Sequence, residues 1–138
     1  MSVDTVNYRD GQIDMIDQTL LPAEYRILEI SDLAVLCEAI KALRVRGAPA
    51  IGVAAAYGFP MVAVAAQRRG VSDVAAMRAV LAEAAVAIAA TRPTARNLFM
   101  AVERMQQVVG QPADSVAVLL QRVEAAARAI NIGALRLL

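Results

Sequence analysis

The stretch RVRGAPAIGVAAAYGFPMVAVAAQ, residues 44–67, decides how this chain is read. From Gly47 through Gln67 it carries no charged side chain. A helix of that length is long enough to cross a bilayer. Its composition argues for a different place. The apolar content is mostly alanine and valine, leucine is absent, and Pro49, Gly52, Gly58 and Pro60 punctuate it. Alanine contributes little to membrane insertion, so the segment reads as a central helix buried on all sides by neighbouring elements. Ala50, Ala54 and Gly58 lie four apart, which gives one face small residues that let other helices approach closely.

Upstream of it, the pattern changes from helical to extended. Residues 3–9 and 12–17 flank Asp10-Gly11, a dipeptide suited to a tight hairpin with positive φ. Leu20-Leu21-Pro22 ends that unit, and residues 25–30 supply a third extended run. Ser31 or Asp32 can cap a first helix whose Val35, Leu36, Ala39, Ile40 and Leu43 share a face. Downstream, Gly70 ends the central helix and Ser72 can cap a third, with Val74, Met77, Leu81, Ala84, Ala85 and Ile88 at helical spacing. A fourth is expected from Pro93 or Thr94 through Leu98, Ala101, Met105 and Val108 to Gly110. Pro112 opens a fifth, with Val116, Leu119, Val123, Ala127, Ile130 and Leu137 on its buried stripe. The predicted fold class is α+β: a small antiparallel sheet over residues 1–30, then a five-helix bundle over residues 31–138. The last helix meets no glycine cap or polar tail before Leu138, so the chain is expected to be truncated.

Composition bounds the function classes. Of 138 residues 59% are hydrophobic, enough to close one core without metal or disulfide. The net charge is only +1, which gives no electrostatic basis for nucleic acid or an acidic membrane surface. Cys37 is the single cysteine, so no internal disulfide forms and a reducing, cytoplasmic location is expected. The opening MSVDTVNYRDG is polar and acidic, unlike a signal or transit peptide. There is no histidine, which removes imidazole nucleophile activation and histidine metal sites from these residues.

Two junctions carry chemical information. In RVRGAPAIG, residues 44–52, Arg46 and Gly47 precede a helix with Pro49 in its first turn; in TRPTARNL, residues 91–98, Arg92 precedes Pro93. A helix start exposes unpaired amides and the positive end of the macrodipole, so a cation there is unfavourable unless an anion lies between. Gly47 has no side chain to keep a ligand from the backbone donors, and a guanidinium grips phosphate through forked hydrogen bonds. Arginines so placed also sit in water or pair with a distant carboxylate, and spacing alone leaves these readings open.

At these motifs the sequence resembles the methylthioribose-1-phosphate isomerases, a superfamily shared with ribose-1,5-bisphosphate isomerases and the regulatory subunits of translation initiation factor 2B. The resemblance covers DGQIDMIDQTLLP (residues 10–22), RVRGAPAIGVAAAYG (44–58) and IAATRPTARNL (88–98). It implies an aldose–ketose isomerase of methionine salvage that converts 5-methylthioribose 1-phosphate to 5-methylthioribulose 1-phosphate without metal or organic cofactor. Arg46, Gly47, Ala48 and Arg92 correspond to substrate-binding residues. The family's catalytic cysteine and aspartate belong to a Rossmann-like carboxy-terminal domain, expected beyond Leu138, so no catalytic residue is assigned in this chain. A homodimer of the full-length protein is expected. Cys37 reads as an inert, partly buried thiol, and Asp14, Asp17 and Asp32 as hairpin solvation and helix capping. Arg96 departs from the family pattern, which often has an apolar residue there. The alternatives are a ribose-1,5-bisphosphate isomerase and a non-enzymatic regulatory subunit.

Overall fold

The computed structural model describes residues 5–133; Val3 of the first expected strand and Leu137 of the last helical stripe lie outside them. Strand β1 spans Val6–Arg9 and β2 Gln12–Ile16, antiparallel, with Arg9 opposite Gln12. Asp10 and Gly11 between them both have positive φ, 44° and 87°, the backbone of a type I′ turn whose twist matches that of the flanking strands. Gly11 is fixed for a second reason, since a Cβ there would lie 2.7 Å from Cγ1 of Val64. The hairpin tip therefore rests directly on the long helix. A 3-10 turn, Gln18–Leu20, follows. Strand β3, Ile27–Ile30, pairs antiparallel with β2 and completes the order β1-β2-β3. It is shorter than the expected run, and Tyr25 is exposed. Alternation places Val6, Tyr8, Ile13, Met15 and Ile30 in the core.

The five helices are α1 (Leu33–Lys41), α2 (Ala48–Arg68), α3 (Val74–Thr91), α4 (Arg96–Val109) and α5 (Val116–Ile132). Three have side-chain caps: Asp32 accepts from the amide of Val35, Asp73 from that of Ala76, and Ser115 from that of Val118. Asp73 thus takes the place expected for Ser72, because a carboxylate at that position also meets the helix dipole. The fifth helix begins at Val116 rather than at Pro112, and it ends at Ile132 with Gly133 as its C-cap, where a helix running on without a glycine cap was expected. Leu36, Ala39 and Ile40 form the buried stripe of α1. Val35 is exposed, being about 100° round the helix from Leu36.

The uncharged segment is the centre of the molecule. Helix α2 packs against α1, α3, α4, α5, β1 and β2, and residues 50–63 are buried without a break. By length and composition both α2 and α3 could cross a membrane, but 78% of the most apolar window of α2 is buried inside the protein against 28% for α3. Helix α2 is a core helix. Its neighbours come close where side chains vanish: a Cβ on Gly58 would lie 2.7 Å from Leu36 Cδ2 and 2.8 Å from Ile88 Cδ1. Tyr57 and Tyr8 stack with centroids 5.3 Å apart, and the Tyr57 hydroxyl accepts a hydrogen bond from Asn131 Nδ2 at 2.8 Å. The sheet, α2 and α5 are joined through that buried pair.

Replacing Gly58 by valine is expected to lower stability by about 1–3 kcal/mol, the usual cost of forcing atoms into a filled core. Alanine at the same position is expected to cost less, because only the ends of Leu36 and Ile88 must move. Urea denaturation of both variants against the parent chain measures this order.

Candidate functional site

The first junction begins where α1 stops. Leu43 has φ of 59°, its amide donates to the carbonyl of Ile40, and the amide of Arg44 donates to that of Ala39. This is a Schellman arrangement with leucine in the left-handed position that glycine usually takes, which costs about 1–2 kcal/mol. The strained turn sends the chain back toward the sheet, where the amide of Gln18 donates to the carbonyl of Arg44 at 2.7 Å.

The two arginines of RVRG then part company. Arg44 is committed to carboxylates: Nε reaches both oxygens of Glu38 at 3.1 and 3.0 Å, Nη2 reaches Glu38 Oε1 at 2.9 Å, and Nη1 reaches Asp17 Oδ2 at 3.2 Å. Asp17 is only 3% exposed, so it is more than hairpin solvation. It also accepts from the Thr19 amide and hydroxyl, at 2.9 and 2.5 Å. Burial pushes the Asp17 carboxyl up, but the Thr19 hydrogen bonds and the Arg44 charge outweigh it, and its pKa falls below the usual carboxylate value. The same guanidinium lowers that of Glu38. Arg46, by contrast, is exposed, and its Nε donates only to the Leu43 carbonyl at 3.3 Å. Gly47 is the N-cap of α2 with φ of 91°, and nothing lies within 4 Å of where its Cβ would be. Gly47 and Ala48 are exposed, and no side chain caps this helix.

The second junction departs from the expected layout. Arg92 does not abut a helix start; it ends α3, with φ of −144° and ψ of 82°. A residue before proline avoids the helical region. Pro93 and Thr94 make a turn closed by the Ala95 amide on the Arg92 carbonyl at 3.0 Å, and α4 starts at Arg96 with Ala95 as an N-cap that offers no side-chain acceptor. Arg92 is half-buried and Arg96 exposed. Among the described residues neither Arg46 nor Arg92 is paired with a carboxylate; the ion pairs use Arg9, Arg44, Arg68 and Arg128.

The two uncapped starts meet. A Cβ on Gly52, in the second turn of α2, would lie 3.2 Å from the main-chain oxygen of Asn97, in the first turn of α4. The sequence marks Gly52 as an interruption of the central segment, without a role in the site, and gives no signal for Asn97. The second turn of α2 therefore packs on the first turn of α4, and Arg46 and Arg92 lie on the segments that precede the two helices, whose first amides helical geometry leaves without partners. A helix start with unpartnered amides and an arginine just before it suits a phosphate. A cavity of about 380 Å³ lined by Arg9, Asp10, Gly11, Gln12, Ser31 and Arg68 lies at the opposite end of α2, roughly 30 Å away along a helix rising 1.5 Å per residue. Arg68 there is paired with Asp10. Cys37 is half-buried in α1, and burial together with Asp32 pushes its thiol pKa up, which leaves it a poor nucleophile.

A sequence model of the initiation factor 2 subunit family matches residues 44–133. The methylthioribose-1-phosphate isomerase of Dehalococcoides mccartyi (strain ATCC BAA-2100) is 45% identical over 123 residues, covering 89% of this chain and 36% of that protein. The 5-deoxyribose 1-phosphate isomerase of Moorella thermoacetica is 48% identical over 127 residues, covering 91% and 35%. Among solved structures, 5-methylthioribose 1-phosphate isomerase from Pyrococcus horikoshii OT3 superposes with a TM-score of 0.79 at 32% identity, over 91% of this chain and 35% of that one. Translation initiation factor eIF-2B subunit delta from A. fulgidus gives 0.80 at 36% identity, over 94% and 36%. The chain spans about a third of the length of the curated relatives it matches.

Because the folded pKa of Asp17 is depressed, its stabilising contribution is complete above the unfolded value of about 3.9 and is lost as pH falls through the folded value. Asp17→Asn is therefore expected to flatten the fall of the urea midpoint below about pH 4. Equal steepness in the two chains would contradict this.

Proposed function

The chain belongs to the initiation factor 2 subunit family, and from that premise we propose that it is the substrate-binding domain of an aldose–ketose isomerase acting on 5-methylthioribose 1-phosphate. Arg46, Gly47, Ala48 and Arg92 bind the substrate, with the phosphate held between the starts of α2 and α4. The observation that carries this reading is the contact of Gly52 with Asn97. It joins two helix starts that lack side-chain caps and are each approached by an arginine without a carboxylate partner. The relatives named for 5-methylthioribose and 5-deoxyribose 1-phosphates share a pentose 1-phosphate lacking a free 5-hydroxyl, and that is the substrate class proposed here.

The reaction explains the division of labour. The C1–O4 bond breaks and O4 takes a proton; a hydrogen moves from C2 to C1; the C2 hydroxyl loses its proton and becomes the carbonyl. Atoms and electrons balance within the sugar, so no external oxidant is needed. Phosphate on the anomeric oxygen blocks easy ring opening, so an acid must assist at O4 and a second group must manage the hydrogen. These roles fall to a cysteine and an aspartate of a further, Rossmann-like domain. The present domain anchors the dianion and fixes the sugar's orientation. The intact protein is cytoplasmic and homodimeric in this proposal, and exposed Val86, Phe99 and Met100 on α3 and α4 offer apolar surface to a second subunit or domain.

Titration calorimetry of the 138-residue chain tests the binding role. Arg46→Ala and Arg92→Ala are each expected to weaken 5-methylthioribose 1-phosphate binding roughly tenfold or more, since each removes a charge-assisted contact. Turnover by the isolated chain would refute the division of labour. The likeness to eIF-2B subunit delta supports a second reading, a non-catalytic subunit, which absence of sugar-phosphate binding would favour.

A further inference from the structure

We infer that Asp17 is a positioning residue for the arginine loop: its buried carboxylate holds Arg44, and through Arg44 it sets the direction from which Arg46 and Gly47 meet the phosphate. The inference rests on the phosphate-binding reading above and deepens it.

Asp17 stands 27 positions before Arg44 in sequence, at the end of the sheet, yet both of its oxygens are engaged around the loop. Oδ1 accepts from the amide and hydroxyl of Thr19, and Oδ2 from Arg44 Nη1. The Thr19 hydroxyl oxygen also accepts from Arg44 Nη1 at 3.3 Å. Glu38 takes the other edge of the guanidinium. The main chain repeats the tether, with the Gln18 amide on the Arg44 carbonyl and the Asp17 amide on that of Arg26. The next residue, Val45, is 2% exposed. Residues 44 and 45 are thus held by side chain, main chain and packing at once, and the exposed segment starts at Arg46.

Stability alone does not account for this arrangement. Asp17 is buried but the Arg44 guanidinium and Glu38 are partly exposed, and an ion pair screened by water on one side contributes little net stability. What a planar guanidinium fork adds is direction, since it satisfies two carboxylates in only one orientation. One buried residue separates Arg44 from Arg46, so an error in the first is carried into the second. Leu43, just before, sits in a left-handed conformation that a leucine holds only under constraint. The network supplies that constraint, and it fixes the stem from which the exposed Arg46 and Gly47 extend.

The test compares binding of 5-methylthioribose 1-phosphate, and of inorganic phosphate as a second probe, to the parent chain and four variants well below their unfolding midpoints. Asp17→Asn, Arg44→Lys and Thr19→Val each disturb the network. Val123→Ala on α5 lowers the midpoint without touching it. The expected result is a roughly tenfold loss of affinity in the first three, about the worth of one charged hydrogen bond, with parent affinity in Val123→Ala. Thr19 is exposed, so its variant folds and decides the matter if Asp17→Asn does not. Parent affinity in Thr19→Val and Arg44→Lys would overturn the positioning role while leaving the binding site standing. Failure of the parent chain to bind either probe would remove the site itself, and this inference with it.

Discussion

A helix without a charged residue over almost its whole length has to be covered on every side, and the rest of the molecule is arranged to cover α2. Four helices and two strands lie against it. Small residues make that crowding feasible. At Gly58 the side chains of Leu36 and Ile88 close over the helix, at Gly52 the backbone of α4 does so, and at Gly11 the hairpin tip meets Val64. Each absent side chain converts into a shorter distance between elements, and interior packing at native density leaves little slack to absorb a change.

With its flanks buried, α2 can express polar chemistry only at its ends, and the two ends are built differently. At the carboxy-terminal end Arg68 complements the negative pole of the helix and meets Asp10 across the hairpin tip, an arrangement that is complete without a ligand. At the amino-terminal end Arg46 faces the positive pole with no carboxylate beside it, while its neighbour Arg44 has two. A positive helix pole with an uncompensated arginine beside it favours an anionic ligand. That contrast adds to the contact of Gly52 with Asn97 in support of the proposed phosphate site.

The helical part of the fold was legible because its driving forces are local and periodic. The apolar stripes of α3 and α5, the type I′ turn at Asp10-Gly11 and the burial of residues 50–63 follow from spacing, turn chemistry and the absence of charge. Errors gathered where two local signals compete. Thr94 looks like a cap and Pro93 like a first-turn residue, yet α4 waits until Arg96, since the proline forces Arg92 to end the preceding helix in an extended conformation. For the proposed site, Arg46, Gly47, Ala48 and Arg92 are the residues to which the family resemblance of their motifs points. The roles of Arg44 and Asp17 could not, because a hydrogen bond between residues 27 apart has no signature in a single sequence. Nor could the meeting of Gly52 with Asn97, which depends on how two helices cross.

One anion shared by the starts of α2 and α4 is what the proposed site requires. A phosphate titration of the ¹⁵N-labelled chain, followed amide by amide in a two-dimensional NMR spectrum, examines it most directly. The amides of Ala48, Ala50, Arg96, Asn97 and Leu98 are expected to shift together with one dissociation constant. Shifts confined to one of the two helices, or centred on Arg9, Gly11 and Arg68 at the far end of α2, would contradict it.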